Sequence, residues 1–352
     1  MVDKNFCMSS YLAFRYVEDS GKDFFEGIHH ETFKPIPDRE RRAVAAPDEI
    51  DRIIQEQMDA LSGEKLGLML SGGMDSAILA CYMRGCDAYT FRFLGGAYQQ
   101  EELHRAEYYA AQNEMRLHYV DVSWEATVEP HLETVLQAKG APVHSIEPQI
   151  RQAALQAKQD GVTRMVIGES SDLIFGGMDQ LLACDWSLDG FMKRYMFTDP
   201  AAVLREPVDM RYLFERYRLE GDKIDFLRFM DHVFSIESSS SYLNAFQTAG
   251  LPYTDPYAVL KMRDPLDLNR VRSGEAKYLI RALFAKKYPD IPIPAKIPMP
   301  RPVDAYFENW EGPVRHEFQK GLDMKQFSGN QKWQLYCLEK FLDLHEPEEE
   351  AG

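Results

Sequence analysis

Two glycine-containing stretches of this chain hold the residues best able to do chemistry. The first reads Ser71-Gly72-Gly73-Met74-Asp75-Ser76 and follows an apolar run at residues 66–70. Glycines let the backbone approach a ligand closely, and N–H groups at the start of a helix attract an anion such as phosphate. Ser71 and Ser76 add hydroxyl donors. Asp75 repels phosphate unless a cation lies between them, so its presence implies Mg²⁺. No Lys follows the glycines, which sets this loop apart from the common Gly-Lys-Ser/Thr phosphate loop. The plain alternative is a glycine-rich turn at a helix start.

The second stretch runs Gly168-Glu169-Ser170-Ser171-Asp172, then Leu173-Ile174-Phe175-Gly176-Gly177-Met178. At a strand-to-helix turn Glu169 and Asp172 can face one site. Asp172 can share Mg²⁺ with Asp75, and Glu169, nearer the strand end, has the position a general base needs. Taken alone, Ser170 and Asp172 read equally well as helix caps.

These residues need a scaffold. Strand character at 66–70, 88–93, 116–121 and 163–167 alternates with helical character near 74–85, 101–114, 125–138 and 148–160. That order predicts parallel βαβ units in a doubly wound, mainly parallel α/β sheet. Ligands bind such sheets at the carboxyl ends of strands, where Ser71 and Gly168 fall. Pro47 opens a helix to about Leu61, with Ile50, Ile53, Ile54, Met58 and Leu61 on one stripe. From about Trp186 to Leu344 helical periodicity dominates. The expected organisation is an entry segment and helix at 1–65, an α/β core at 66–185, a mainly helical C-terminal portion at 186–344 that completes the site, and an acidic tail at 345–352. The run ESSSSY at 237–242 reads as a helix start facing the site.

The 352 residues carry a net charge of −16, which argues against a broad nucleic-acid-binding face. Five cysteines show no Cys-x-x-Cys pair. Nothing at the N-terminus reads as a signal peptide, and no apolar run approaches a membrane span. A cytoplasmic protein with reduced thiols is expected, with Cys81 and Cys86 as core residues rather than metal ligands.

The first motif resembles the pyrophosphate loop of the ATP pyrophosphatases. The two motifs together resemble the synthetase domain of asparagine synthetases and β-lactam synthetases, whose second motif usually reads GEGADE-x-FGGY. Glu169 and Asp172 match it; Leu173 and Met178 depart from it. TFRFLGGAYQQEELHRAEYYAAQ, LPYTDPY (251–257), EAKYLIRALFAKKYP (275–289) and PIPAKIPMPRP (292–302) extend the likeness over most of residues 45–305.

The resemblance implies an adenine nucleotide α-hydrolase-like fold and an AMP-forming ligase with ATP and Mg²⁺ as cofactors. Ser71, Gly72, Gly73, Asp75 and Ser76 would bind pyrophosphate and metal, with Asp172 as second metal ligand. Leu70, Phe91 and Gly168 would border the adenosine. Glu169 would deprotonate or orient the nucleophile, and Lys296 would stabilise charge on pyrophosphate and the adenylated carbonyl. The Arg that precedes the family's catalytic Lys is replaced by Pro294 and Ala295, for which Arg301 is a candidate substitute. Lys277 and Arg281 are secondary candidates, with a solvated helix face as the alternative. His144 and Glu147 stand where the family's substrate-side residues sit, with a surface loop as the alternative.

The family's glutaminase nucleophile has no counterpart at Val2, so a synthetase domain without its own ammonia generator is expected. Its partners would be a small-molecule carboxylate and ammonia or an amine, with no nucleic acid and no membrane. A separate ammonia-supplying protein and a homodimer are both compatible with this. Another nucleotide- or tRNA-modifying enzyme of the same superfamily, or an inactive scaffold homologue, are the alternatives.

Overall fold

The computed structural model describes residues 1–93, 100–178, 180–295 and 301–346. Its centre is a five-stranded, all-parallel sheet. Numbered along the chain, β1 (Arg42–Val44) and β7 (Leu260–Met262) form a separate parallel pair. The main sheet comprises β2 (Leu66–Met69), β3 (Asp87–Phe93), β4 (Arg116–Val122), β5 (Arg164–Val166) and β6 (Tyr253–Thr254), in the order β4-β3-β2-β5-β6. The four expected strands are therefore present. The two-residue β6 has too short a pattern to be read in advance.

Strand order explains the position of the site. The chain starts at β2, winds outward through β3 and β4, and then crosses to the other side of β2 to lay down β5. The reversal leaves a crevice between the carboxyl ends of β2 and β5. Ser71 follows β2 and Gly168 follows β5, so each motif flanks that crevice.

Both faces of the sheet are covered, as a parallel sheet requires. Leu66, Leu68 and Leu70 point to one face, against Ile50, Ile53, Ile54 and Met58 of helix α2 (Pro47–Ala60). Tyr89, Phe91, Phe93, Met165 and Ile167 point to the other, against Ile150 of the Glu147–Gln159 helix and Phe246 of the Ser235–Ala249 helix. This is the two-residue alternation of a strand. A third core joins the two chain ends: Tyr11, Leu12 and Phe14 of helix α1 (Lys4–Phe14) pack with Trp333, Leu338 and Phe341 of the Gly329–His345 helix.

Helix boundaries shift modestly from expectation. Helix α3 (Met74–Ala80) ends well before residue 85. The segment after it turns, and Gly85 adopts φ +77°, which favours glycine. The helix expected at 125–138 divides into a wide turn at Trp124–Val128 and a regular helix at Glu129–Lys139, with a Pro in its first turn. All five cysteines are free thiols, and Cys7 and Cys337 are buried. Among the described residues, no helix is long and apolar enough to cross a membrane. The acidic tail beyond Glu346 lies outside the described residues.

Candidate active site

The first motif folds as a tight loop held by its own hydroxyls. Ser76 Oγ accepts from the Ser71 amide at 3.0 Å and lies 3.0 Å from Ser71 Oγ, while Gly73 N–H donates to Ser71 Oγ at 3.1 Å. A side chain at Gly72 would put Cβ 2.8 Å from the Glu102 carbonyl oxygen, so only glycine fits against the helix behind. That helix, Gln100–Gln112, places the buried Glu102 carboxyl beneath the loop, where it accepts from the Gly72 amide. Burial pushes this carboxyl up to about 7. Leu70, Ser71, Gly73, Asp75, Ser76, Phe91 and Gly168 all line one cavity of about 530 Å³ over the loop. Gly72 faces Glu102 behind the loop instead.

Asp75 and Asp172 do meet across the crevice, as their motifs suggest. What they share is Lys277: its ammonium donates to Asp75 Oδ2, and to Asp172 Oδ1 at 2.7 Å. Ser171 Oγ donates to Asp75 Oδ1 at 2.6 Å, and the Tyr257 hydroxyl donates to the Asp75 carbonyl at 3.0 Å. Lys277 is 4% exposed. Desolvation opposes its charge, but Asp75 and Asp172 overcome that and hold it above the usual lysine range. The reading of Lys277 as a solvated helix face is thus wrong. It sits at the N-cap of the Tyr278–Lys287 helix in the left-handed region, φ 58°. A non-glycine residue there carries strain of about 1–3 kcal/mol and persists where its surroundings demand it. Gly177 makes the arrangement possible, since a Cβ there would lie 2.3 Å from Asp172 Oδ1 and 2.8 Å from Lys277 Cδ.

Two carboxylates converging on one cation are a donor set that fits Mg²⁺, which takes one or two carboxylates and completes its shell with phosphate oxygens and water. No group of three or more His, Cys, Asp or Glu side chains able to hold a metal exists among the described residues.

Glu169 stands on the wall between the nucleotide-sized cavity and a second one of about 1240 Å³; both are lined by Glu169, Asp172, Ile167, Gly177 and Tyr242. Its carboxylate accepts from Ser238 Oγ, and Tyr242 also hydrogen-bonds to it. Burial pushes it up to about 7, against the lowering effect of these two donors. Ser238 and Tyr242 belong to the Ser235–Ala249 helix, whose first half therefore faces the site, as the ESSSSY run suggests. Asp255 was not singled out in the sequence. It accepts from the Ser170 amide at 2.7 Å and the Tyr257 amide at 3.0 Å, and so fixes the turn that aims Glu169. Its signal was the aspartate of LPYTDPY. Burial raises its carboxyl to about 6.

The far end of the larger cavity is cationic. Arg15, His144, Glu237 and Arg301 line it. Arg15 Nη1 lies 2.5 Å from His144 Nε2, Arg301 Nη1 lies 3.3 Å from the same nitrogen, and Arg15 Nε lies 3.0 Å from Glu237 Oε1. The structure separates the pair His144 and Glu147. His144 faces the cavity, whereas Glu147 is fully buried and ties Lys139 (2.6 Å), the His144 amide (2.9 Å) and Asn244 (2.6 Å) together. Arg281 lines the cavity over the Ser71–Ser76 loop. Lys296 lies outside the described residues, as does the whole LGGAYQ segment at 94–99.

A comparison with protein families matches residues 47–237 to asparagine synthase, more than half of the chain. No curated protein matches. Among solved structures, a U34-tRNA thiolase from Methanococcus maripaludis is similar at 12% identity, covering 71% of this chain and 82% of that one, with a TM-score of 0.30. NMN synthetase from Francisella tularensis is similar at 12% identity over 72% of this chain and 100% of its own, TM-score 0.27. NAD+ synthetase from Burkholderia pseudomallei gives 12% identity over 70% and 90%, TM-score 0.26. Likeness at that level carries no argument about chemistry.

Proposed function

From the premise that this chain belongs to the asparagine synthase family, we propose that it joins a carboxylate to ammonia or an amine, converting ATP to AMP and pyrophosphate. The observation that carries this reading is Glu169, placed on the wall shared by a cavity over the phosphate loop and a larger cavity with room for an acceptor.

A carboxylate is a poor acyl donor because its leaving group would be oxide. Attack of its oxygen on the α-phosphorus of ATP forms an acyl-adenylate and releases pyrophosphate; attack of the amine on that carbonyl then releases AMP. The Ser71–Ser76 loop offers backbone N–H groups and hydroxyls to the phosphates. Lys277 supplies a fixed positive charge beside them, and such preorganised charge is where most stabilisation of a phosphoryl or acyl transition state arises. Asp75 and Asp172 are the carboxylates that would hold Mg²⁺, which when bound supplies further neutralisation of pyrophosphate. Glu169, with its carboxyl raised to about 7, is matched to accept a proton from the amine near neutral pH.

The test is pyrophosphate release from ATP and Mg²⁺ by the whole chain, run against a panel of carboxylic acids with ammonia present. At least one acid should give acid-dependent pyrophosphate and AMP. Release of ADP and phosphate instead, or pyrophosphate release that no acid stimulates, overturns the reading.

A further inference from the structure

Of the first three amides of the phosphate loop, two are held by the loop itself. The Ser71 amide donates to Ser76 Oγ at 3.0 Å, and the Gly73 amide donates to Ser71 Oγ at 3.1 Å. The Gly72 amide between them is held from outside, by the Glu102 carboxyl. The other edge of the same peptide is also held, since the Ser71 carbonyl accepts from Ser76 Oγ at 3.2 Å. The Ser71–Gly72 peptide plane is thus pinned at both edges, by Ser76 within the loop and by Glu102 behind it.

Pinning matters at this point of the chain. Gly72 has no Cβ to restrict rotation, so the peptide before it can turn over at little steric cost. Turned over, it would set the Ser71 carbonyl against the Glu102 carboxyl, acceptor against acceptor, and would release Ser76 Oγ. The contact between loop and helix is direct: a Cβ at Gly72 would lie 2.9 Å from Glu102 Cγ and 3.0 Å from its Cα.

Glu102 holds the amide at a cost to the fold. The residue is 6% exposed, and its Oε2 is buried with no hydrogen-bond partner. Arg105, one turn along the same helix, is engaged with Glu101 and with the Ala295 carbonyl. A buried carboxyl with an idle oxygen destabilises a protein, and this one lines the cavity over the loop. Side chains that cost stability at a binding cavity are the usual mark of a trade between stability and function.

We propose that Glu102 is a positioning residue for the phosphate loop: by holding the Gly72 amide it fixes the Ser71–Gly72 peptide in its observed orientation, so that the loop is set for a pyrophosphate group before one arrives. Glu102 acts through Gly72 and does not itself contact the ligand. The gain is preorganisation, since the ordering of a two-glycine segment is complete before binding. This inference rests on the reading of the loop as a phosphate site, but not on the ligase chemistry.

The experiment measures calorimetric binding of inorganic pyrophosphate, and of ATP, to the whole chain with Mg²⁺ at pH 8, alongside the melting temperature under the same conditions. Glu102→Ala should weaken pyrophosphate binding on the order of 10- to 100-fold, the worth of a hydrogen bond to a charged group. Glu102→Gln keeps an acceptor oxygen but loses the charge, and should weaken binding on the order of 3- to 10-fold while melting at a higher temperature than the unaltered chain. A merely structural role would move binding and stability in the same direction. Circular dichroism shows whether the variants are folded; if Glu102→Ala is not, the opposite movements in Glu102→Gln carry the test. Unchanged pyrophosphate binding in the folded variants overturns the proposal, as does weaker binding in Glu102→Gln together with a lower melting temperature. If the unaltered chain binds neither pyrophosphate nor ATP, this proposal and the phosphate-site reading both fall. Glu102-dependent pyrophosphate binding without acid-dependent pyrophosphate release leaves the positioning role standing and defeats the ligase reading.

Discussion

The two cavities that meet at Glu169 are built in opposite ways. The nucleotide-side wall comes mainly from chain that is contiguous at strand ends, the Ser71–Ser76 loop and the turn from Gly168 to Asp172. The larger cavity takes Arg15 from the end of α1, His144 from a loop, Glu237 from the Ser235–Ala249 helix and Arg301 from farther on still. One wall works through backbone geometry, which glycine and serine spacing announces. The other works through single side chains brought together only by the tertiary fold. The difference teaches that a motif reports a wall built from contiguous chain, whereas a wall built from side chains scattered along the sequence leaves no local signature.

The most severe way to break this division is at Lys277. Lys277→Ala leaves Asp75 and Asp172 facing each other without their cation, and removing one partner of a buried ion pair typically costs about 3–5 kcal/mol. Pyrophosphate release should fall by at least roughly 1000-fold, the equivalent of about 4 kcal/mol of transition-state stabilisation. Near-normal pyrophosphate release in that variant would remove Lys277 from the chemistry.

Glu169, on the partition, should separate the half-reactions. Glu169→Gln should keep acid-dependent exchange of pyrophosphate into ATP and lose amide formation by on the order of 100-fold or more. The sign of the pH effect follows from the base form being the active one. With its carboxyl raised to about 7, amide formation by the unaltered protein should climb as pH rises to about 7 and level off above it. That climb should be missing in Glu169→Gln. Equal loss of both half-reactions would place Glu169 in adenylation.

The smallest expected effect concerns Glu102, beneath the phosphate loop. Its carboxyl is raised from 4.5 to about 7, chiefly by burial. Between those values the folded protein keeps a proton that the unfolded chain has released, so this group costs stability as pH rises through that window. The upper limit is about 3 kcal/mol. Glu102→Gln should therefore raise the melting temperature at pH 8, with the gain fading by pH 5. A gain that is larger at pH 5 would contradict the assignment.

How far the sequence could be read follows the same division. The five-stranded order rests on hydrophobic alternation and on the βαβ rule, and four of its strands were legible; β6 is two residues long and shows no period. Asp75 and Asp172 were legible as a pair because each follows a strand end within a glycine-containing turn. Lys277 was legible only as a secondary candidate, because a basic residue at helical spacing resembles a solvated face; its αL backbone and the space left by Gly177 admit it to the site. Glu147 misled for the opposite reason: a carboxylate at the start of a helix, next to a candidate histidine, serves the core. Arg15 gave no local sign at all. Yet Arg15 and Lys277 are two of only three non-glycine residues with positive φ among the described residues. In both, a conformation that costs energy places a cation in a cavity wall.

The joining of the two chain ends in the third core has a consequence for the order of assembly during synthesis. Gln334 donates to the carbonyls of Tyr11 and Leu12, 323 and 322 residues earlier in the sequence, and β1 pairs with β7, so these segments must wait for partners made much later. Contacts this remote in sequence form slowly and leave apolar surface uncovered meanwhile. A nascent chain released soon after β5 already holds both glycine-containing turns. It has Arg15 but neither Glu237 nor Arg301, and α1 has no C-terminal helix to dock against. Both glycine-containing turns are thus made before Glu237 and Arg301, the residues that complete the far end of the larger cavity.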